Sequence, residues 1–126
     1  MQNKYLMVII LVLLSIHGWS LLKPKQTVYA CDDTHSQLIL VPYGRVTTVN
    51  FPESPKDVIP GETGFDFKKV RSDLVIKALR PGAKTNLLVY LEGRRCSFHL
   101  ESHPFGDEFI LVRDPKEKTF EVKFHD

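Results

Sequence analysis

The sequence predicts an all-β protein, a small antiparallel β-sandwich that follows an N-terminal signal segment. Short runs rich in β-branched and aromatic residues follow one another after residue 20, and turn residues separate them. Apolar and polar residues alternate with a period of two in Leu74–Ala78, Cys96–Leu100 and Thr119–Phe124. The same part of the chain lacks the periodicity of an amphipathic helix.

The N-terminus has the features of a secretory signal peptide. Lys4 supplies a positive charge, and the apolar run Leu6–Ile16 follows it. This run has the length of a signal-peptide core and is short for a membrane span of ~20 residues. Small residues at the spacing that a signal peptidase accepts predict cleavage after Ser20, which removes residues 1–20. The alternative is an uncleaved anchor that ends at Leu22.

The remaining chain is long enough for one small domain. We expect residues 21–36 to form a leader and a first strand, and residues 37–126 to form the β-sandwich. The formal net charge of the whole chain is only +2, and basic pairs such as Lys68-Lys69 and Arg94-Arg95 stand next to acidic residues. A mixed-charge surface of this kind argues against nucleic acid as a partner.

Two cysteines in an exported chain predict a disulfide between Cys31 and Cys96. Closing so long a loop stabilises a fold by about 4 kcal/mol when the chain-entropy contribution alone is counted. An alternative for Cys31 is lipidation, because Val28–Cys31 loosely resembles a lipoprotein signal. Lys23–Lys25 separates that stretch from the apolar run, however, whereas a lipidated cysteine follows such a run closely.

The strand prediction follows the chain in order. Thr85–Leu91 is apolar on both faces, which indicates a central strand covered on both sides, and the turn Glu92–Arg94 joins it to the next strand as a hairpin. Turns and the proline-rich stretch Pro52–Gly61 separate the other strands. The predicted strands are Thr27–Cys31, Gln37–Val41, Arg45–Phe51, Phe65–Val70, Leu74–Leu79, Thr85–Leu91, Arg95–Leu100, Glu108–Arg113 and Thr119–Phe124.

The stretch RCSFHLESH, residues 95–103, has the spacing Cys-x2-His-x3-His. Two hypotheses follow from this spacing, a metal site and a catalytic Cys/His pair. In a strand, successive side chains point to opposite faces, so Cys96 shares the core face with Phe98 and Leu100 while His99 faces away. His103 is expected beyond the regular strand. Zinc ligands form closed sets of four, and a nucleophilic cysteine needs an exposed site with a base nearby. We therefore predict neither metal nor cofactor and no catalytic residue.

With the strands placed, five segments follow one another in a recognisable order: Arg45–Glu53 (RVTTVNFPE), Asp57–Glu62 (DVIPGE), Asp73–Ala78 (DLVIKA), Lys84–Leu91 (KTNLLVYL) and Arg95–Leu100 (RCSFHL). Their order and spacing resemble the N-terminal domain of the TrbG/CagX-type family, outer-membrane core-complex subunits of type IV secretion systems. Cys96 stands where that family usually has an aromatic residue. The resemblance covers about Gln37 to Asp114.

The resemblance implies a non-catalytic periplasmic β-domain that docks by protein–protein contact onto a type IV secretion or pilus-like envelope assembly. Family members carry a further linker and a second β-domain, so we expect this chain to act as a free-standing N-terminal module. The candidate contact surfaces are the Pro52–Gly61 loop and a C-terminal hairpin around Asp114–Lys118. The alternative function is a secreted, disulfide-stapled domain that binds a small ligand or acts as an inhibitor.

Overall fold

The computed structural model describes residues 27–115, and they form a sandwich of two packed β-sheets. Among these residues no helix is long and apolar enough to cross a membrane. The strands, numbered in chain order, are β1 (Thr27–Ala30), β2 (Gln37–Pro42), β3 (Val46–Asn50), β4 (Asp57–Pro60), β5 (Phe65–Val70), β6 (Asp73–Ala78), β7 (Lys84–Leu91), β8 (Arg94–His103) and β9 (Phe109–Arg113).

The two sheets are mixed, which corrects the prediction of a purely antiparallel sandwich. The five-stranded sheet has the order β1-β9-β3-β6-β5 and the four-stranded sheet the order β2-β8-β7-β4. The pairs β1–β9, β3–β9 and β2–β8 are parallel, and the others are antiparallel. Parallel neighbours require a crossover that returns the chain to the same end of the sheet, and here a chain that alternates between two sheets supplies such crossovers.

The core lies between the sheets and follows from alternation along each strand. In β8, Cys96, Phe98 and Leu100 are buried while His99 is exposed, as the period of two predicts. The rings of Phe51 and Phe98 meet edge to face with centroids 6.1 Å apart, so β8 packs against the residue that follows β3. The buried apolar residues are Cys31, Ile39, Val41, Val49, Phe51, Phe65, Leu74, Ile76, Ala78, Ala83, Leu87, Val89, Leu91, Cys96, Phe98, Leu100, Ile110 and Val112.

The connections gather at the two ends of the sandwich, as the strand directions require. The disulfide end holds residues 31–36, 51–56, 71–72 and 92–93. The opposite end holds four other connections, residues 43–45, 61–64, 79–83 and 104–108. We call it the aromatic end, after Tyr43 and Phe105.

Most of the predicted strands are confirmed within one or two residues at their ends. One strand was missed, because β4 lies inside the stretch Pro52–Gly61 that was predicted as a loop. The prediction for His103 was also wrong, since β8 extends to that residue. The predicted strand Thr119–Phe124, the signal peptide at residues 1–20 and most of the leader lie outside the described residues.

Among residues 27–115, no second layer covers Thr85–Leu91 as expected from the sequence. The hairpin with β8 is confirmed, with Gly93 in the left-handed region at φ 66°. Only one face of β7 is buried, however, and Leu88 and Tyr90 on the other face are half-buried. The guanidinium of Arg95 lies over the ring of Tyr90, 5.9 Å from its centroid, so a neighbouring side chain replaces part of the missing layer.

Candidate functional site: the aromatic end

The aromatic end carries the most exposed large apolar side chain among residues 27–115. Phe105 is 75% exposed and Tyr43 is 50% exposed, and both stand in connections between strands. Pro81 and Pro104 lie beside them. Folding leaves these side chains in water, although burial of an aromatic ring is among the strongest contributions that a side chain can make to stability. Exposed apolar side chains on loops at one end of a domain are typical of interaction sites.

The crossover that presents Phe105 is anchored on the C-terminal side of that residue. The hydroxyl of Thr47, a fully buried residue, donates to the carbonyl of Asp107 over 2.8 Å. Gly106 lies against the backbone of β2, so close that a Cβ there would stand 2.2 Å from the carbonyl oxygen of Leu40. Arg45 binds Glu108 over 2.6 Å. The loop is therefore held against the body of the domain, which lowers the entropy that a partner must remove on binding.

His103 fixes the backbone of Phe105 whichever tautomer it adopts. Its Nδ1 lies 2.8 Å from the carbonyl oxygen of Phe105 and 3.1 Å from the amide nitrogen of the same residue. With a proton on Nδ1 the ring donates to the carbonyl, and without one it accepts from the amide. The two rings are 6.3 Å apart. The histidine thus serves to position an exposed aromatic ring, a role that its place in the Cys-x2-His-x3-His spacing does not suggest.

A shallow cavity of about 410 Å³ lies beside Tyr43. The hydroxyl oxygen of Ser102 is buried there and has no hydrogen-bond partner. A cavity of this size lies within the range of small-ligand sites. Its lining residues are Tyr43, Pro81, Gly82, Ser102, His103 and Pro104.

A second, more polar depression of about 540 Å³ lies on the outer face of the four-stranded sheet. His99, Glu62 and Glu101 line it, together with Lys84, whose ammonium group is 4.0 Å from the carboxylate of Glu101. None of the hydrogen bonds formed here joins a nucleophile to a base, the arrangement that covalent catalysis uses. Within residues 27–115, no group of three His, Cys, Asp or Glu side chains is placed to hold a metal ion.

The two predicted disulfide residues meet at the opposite end. Cys31 and Cys96 form a disulfide with their Cα atoms 4.6 Å apart. Cys96 is fully buried, and its sulfur atom is committed to this bond. The Cys-x2-His spacing therefore does not bring a free thiol to His99. A disulfide of this kind is typical of proteins exported to an oxidising compartment.

The disulfide end also carries the main ionic network. The guanidinium of Arg94 forms two hydrogen bonds to Asp114, over 2.6 and 2.7 Å, and a third over 3.1 Å to Glu53. The bonds to Asp114, and after them the charges of both carboxylates, raise the pKa of Arg94. Because Asp114 is only 17% exposed, its pairing with Arg94 is a structural contact. It ties the end of β9 to the start of β8.

The two contact surfaces proposed from the sequence lie elsewhere than the aromatic end. Pro52–Gly61 begins at the disulfide end and then forms β4, an edge strand of the four-stranded sheet. In the stretch Asp114–Lys118, Asp114 is the partner of Arg94, and the residues after Pro115 lie outside the described part. The sequence signal for the observed cluster is an aromatic residue inside a turn, in Pro42-Tyr43-Gly44 and in Pro104-Phe105-Gly106.

The chain matches no protein-family model, and no curated protein matches it. The resemblance to the N-terminal domain of the TrbG/CagX-type family therefore stays a prediction from the residues themselves.

Proposed function

We propose that the protein is a non-catalytic periplasmic β-domain that docks through its aromatic end onto a type IV secretion or pilus-like envelope assembly. The observation that carries this proposal is the exposed pair Tyr43 and Phe105 on anchored connections at one end of the sandwich. Aromatic side chains on a rigid support are the residues that most often dominate binding energy at protein interfaces.

The location assigned to the protein rests on two supports of different kinds. The Cys31–Cys96 disulfide indicates export to an oxidising compartment. The apolar run Leu6–Ile16 has the composition of a signal-peptide core, and the proposed cleavage after Ser20 supports release of the domain into the periplasm. An envelope assembly is a partner within reach of a protein in that compartment, and the resemblance of Arg45–Glu53 and the later segments supports the type IV class.

A second candidate function is that of a small-ligand-binding or inhibitor domain, and the cavity of about 410 Å³ favours it. The two candidates differ in what they require of Phe105. This side chain does not line the cavity, so a small ligand enclosed there leaves it exposed. Docking of a protein on the aromatic end covers it.

Co-purification with substitutions at the aromatic end tests the proposal. The full chain is exported in its own cells, cross-linked and purified, and the bound proteins are identified by mass spectrometry. We expect subunits of a secretion channel, and we expect the double variant Tyr43→Ser, Phe105→Ser to lose them. Ile59→Ser is the matched control, because Ile59 is 52% exposed but lies in β4.

Two results contradict the proposal. One is a wild-type chain that purifies as a monomer without channel subunits, particularly if it carries a small molecule. The other is retention of the channel subunits by the double variant when circular dichroism shows that the variant is folded.

A further inference from the structure

The edge strands of the described sandwich differ in how well they are protected against strand addition. An edge strand presents unpaired backbone groups that can pair with another chain. Beside β2 lies the crossover, where Gly106 touches the backbone of Leu40. The edge of β4 includes Pro60, which has no N–H to donate. By contrast, β5 has six residues without proline and is the last strand in its sheet.

The hydrogen-bond phase of β5 shows which backbone groups point outward. The amide of Leu79 donates to the carbonyl of Gly64 over 2.9 Å, and these two residues lie opposite each other just before the β5–β6 register begins. In an antiparallel pair, hydrogen-bonded positions recur every second residue. The N–H and C=O groups of Phe65, Phe67 and Lys69 therefore point away from β6, toward the free edge.

Cations without an ionic partner surround this free edge. Among residues 27–115, Lys68, Lys69, Arg71 and Lys77 form no salt bridge, although seven other ion pairs are present there. Lys68 is exposed on the outer face, and the Lys69 ammonium group donates to the carbonyl of Lys56 over 3.2 Å.

The nearby acidic groups are engaged locally. Asp73 accepts a hydrogen bond from Asn50 over 2.7 Å. Asp66 accepts one from the amide of Phe67 over 3.1 Å, so its carboxylate covers one of the three outward N–H groups. The other charged residues of β5, Lys68 and Lys69, are both cations.

We infer that β5 is a second binding surface, which takes an extended acidic segment of a partner protein by strand addition. Alternate residues of the added strand lie beside Phe67, which is half-buried against the core, and are apolar. The residues between them lie on the outer face, where carboxylates meet Lys68 and an uncharged residue meets Asp66. The same lysines repel a second copy of β5, so the edge is selective for an acidic strand and protected against self-association.

A designed peptide pair tests the inference on the full chain. The probe is a capped peptide of about eight residues that alternates valine and glutamate, with threonine in place of the one glutamate that would face Asp66. The comparison peptide has lysine in place of each glutamate. We expect only the acidic peptide to bind, as measured by NMR titration. Hydrogen exchange at the amides of Phe65 and Lys69 should slow in the complex, because both N–H groups then enter a ladder.

Two variants of Lys69 distinguish the contribution of its backbone N–H to binding from that of its side-chain charge. Lys69→Pro removes an outward N–H without removing a bond to β6, and we expect it to abolish binding. Lys69→Gln keeps the N–H, and binding should weaken by less than about fivefold, because only one charge is lost. Reversal of two outer-face charges, Lys68→Glu with Lys77→Glu, should weaken binding by about tenfold or more.

Equal binding of the acidic and the basic peptide overturns the inference, as does full binding by folded Lys69→Pro. If neither peptide binds, the lysines of β5 serve only to prevent aggregation. Strand addition at β5 does not depend on docking through the aromatic end, and one variant distinguishes the two binding surfaces. The Tyr43→Ser, Phe105→Ser variant should bind the acidic peptide as the wild type does.

Discussion

Replacement of Cys31 and Cys96 by alanine removes the covalent link between the two sheets. Cys31 directly follows β1 in the five-stranded sheet, and Cys96 lies in β8 of the four-stranded sheet. β1 has only four residues and pairs with β9 alone among the described strands. Without the disulfide, β1 is therefore held mainly by one short parallel ladder.

The magnitude follows from the length of the closed loop. The two cysteines are 65 residues apart in sequence. Loop closure of that length restricts the unfolded chain by about 4 kcal/mol in the chain-entropy treatment, and measured losses for small exported domains are about 2–5 kcal/mol. Since domains of this size are stable by only about 5–15 kcal/mol, the loss is a large fraction of the total.

Urea unfolding followed by far-UV circular dichroism measures this loss. Cys31→Ala, Cys96→Ala and the double variant should have nearly the same free energy of unfolding, because either single change already breaks the bond. The wild-type protein in reductant is the matched control, and its curve should approach that of the double variant.

Three results would refute this reasoning. A loss below about 1 kcal/mol would mean that the disulfide does little to restrict the unfolded chain. A double variant much less stable than either single variant would mean that each side chain acts separately. Two free thiols in the intact mass of the untreated exported protein would show that the bond does not form, and would return Cys31 to the lipidation alternative.

Three further predictions concern stability and ionisation. Arg94→Met should lower the free energy of unfolding by about 1–2 kcal/mol in urea titrations, because it leaves two carboxylates unpaired, whereas Arg45→Met breaks an exposed pair and should have little effect. Gly106→Ala should lower it by about 1–3 kcal/mol in the same assay, because the new Cβ meets a backbone carbonyl of β2. Hydrogen bonds from Thr34 lower the pKa of Asp32. This carboxylate therefore stabilises the fold above its unfolded-state pKa, and the stabilisation is lost as the pH falls through its folded-state pKa. Thr34→Val should raise the pKa of Asp32 in an NMR titration, and an unchanged pKa contradicts the assignment.

The features that could be predicted from sequence are those set by neighbouring residues. The β7–β8 hairpin follows from two apolar runs joined by a turn in which Gly93 adopts positive φ. The opposite orientations of Cys96 and His99 follow from the geometry of any strand. The disulfide was predictable because only two cysteines are present in a chain with a signal-like N-terminus.

The features that were missed depend on residues far apart in sequence. The parallel pairing of β1 with β9 joins residues such as Val28 and Leu111, and no local pattern specifies that register. β4 was read as a loop because proline ends it, whereas proline is tolerated on an edge strand. The apolar side chains of Leu88 and Tyr90 predict that a second layer covers the outer face of β7, but neighbouring side chains cover that face only in part.

The candidate site was predictable in its residues but not in its location. Tyr43 and Phe105 are both aromatic residues in turns, and this pattern can be recognised in the sequence. Their location at one end depends on which connections lie there, and that depends on the strand order in two mixed sheets. His103 shows the same limit, because its contact with Phe105 requires the chain to turn directly after β8.

The stabilising contacts lie at one end of the sandwich and the exposed aromatic residues at the other, which explains how so small a domain can leave large apolar groups in water. The disulfide and the Arg94 network lie at one end, where they hold β1, β8 and β9 together. The aromatic end needs no such restraint of its own, since Thr47 and Gly106 anchor its crossover to the body of the domain. Phe105 is then free of a packing role, because a side chain that is 75% exposed adds little to the hydrophobic stability of the fold. An aromatic ring held in water by a well-anchored loop is the feature on which the proposed docking rests.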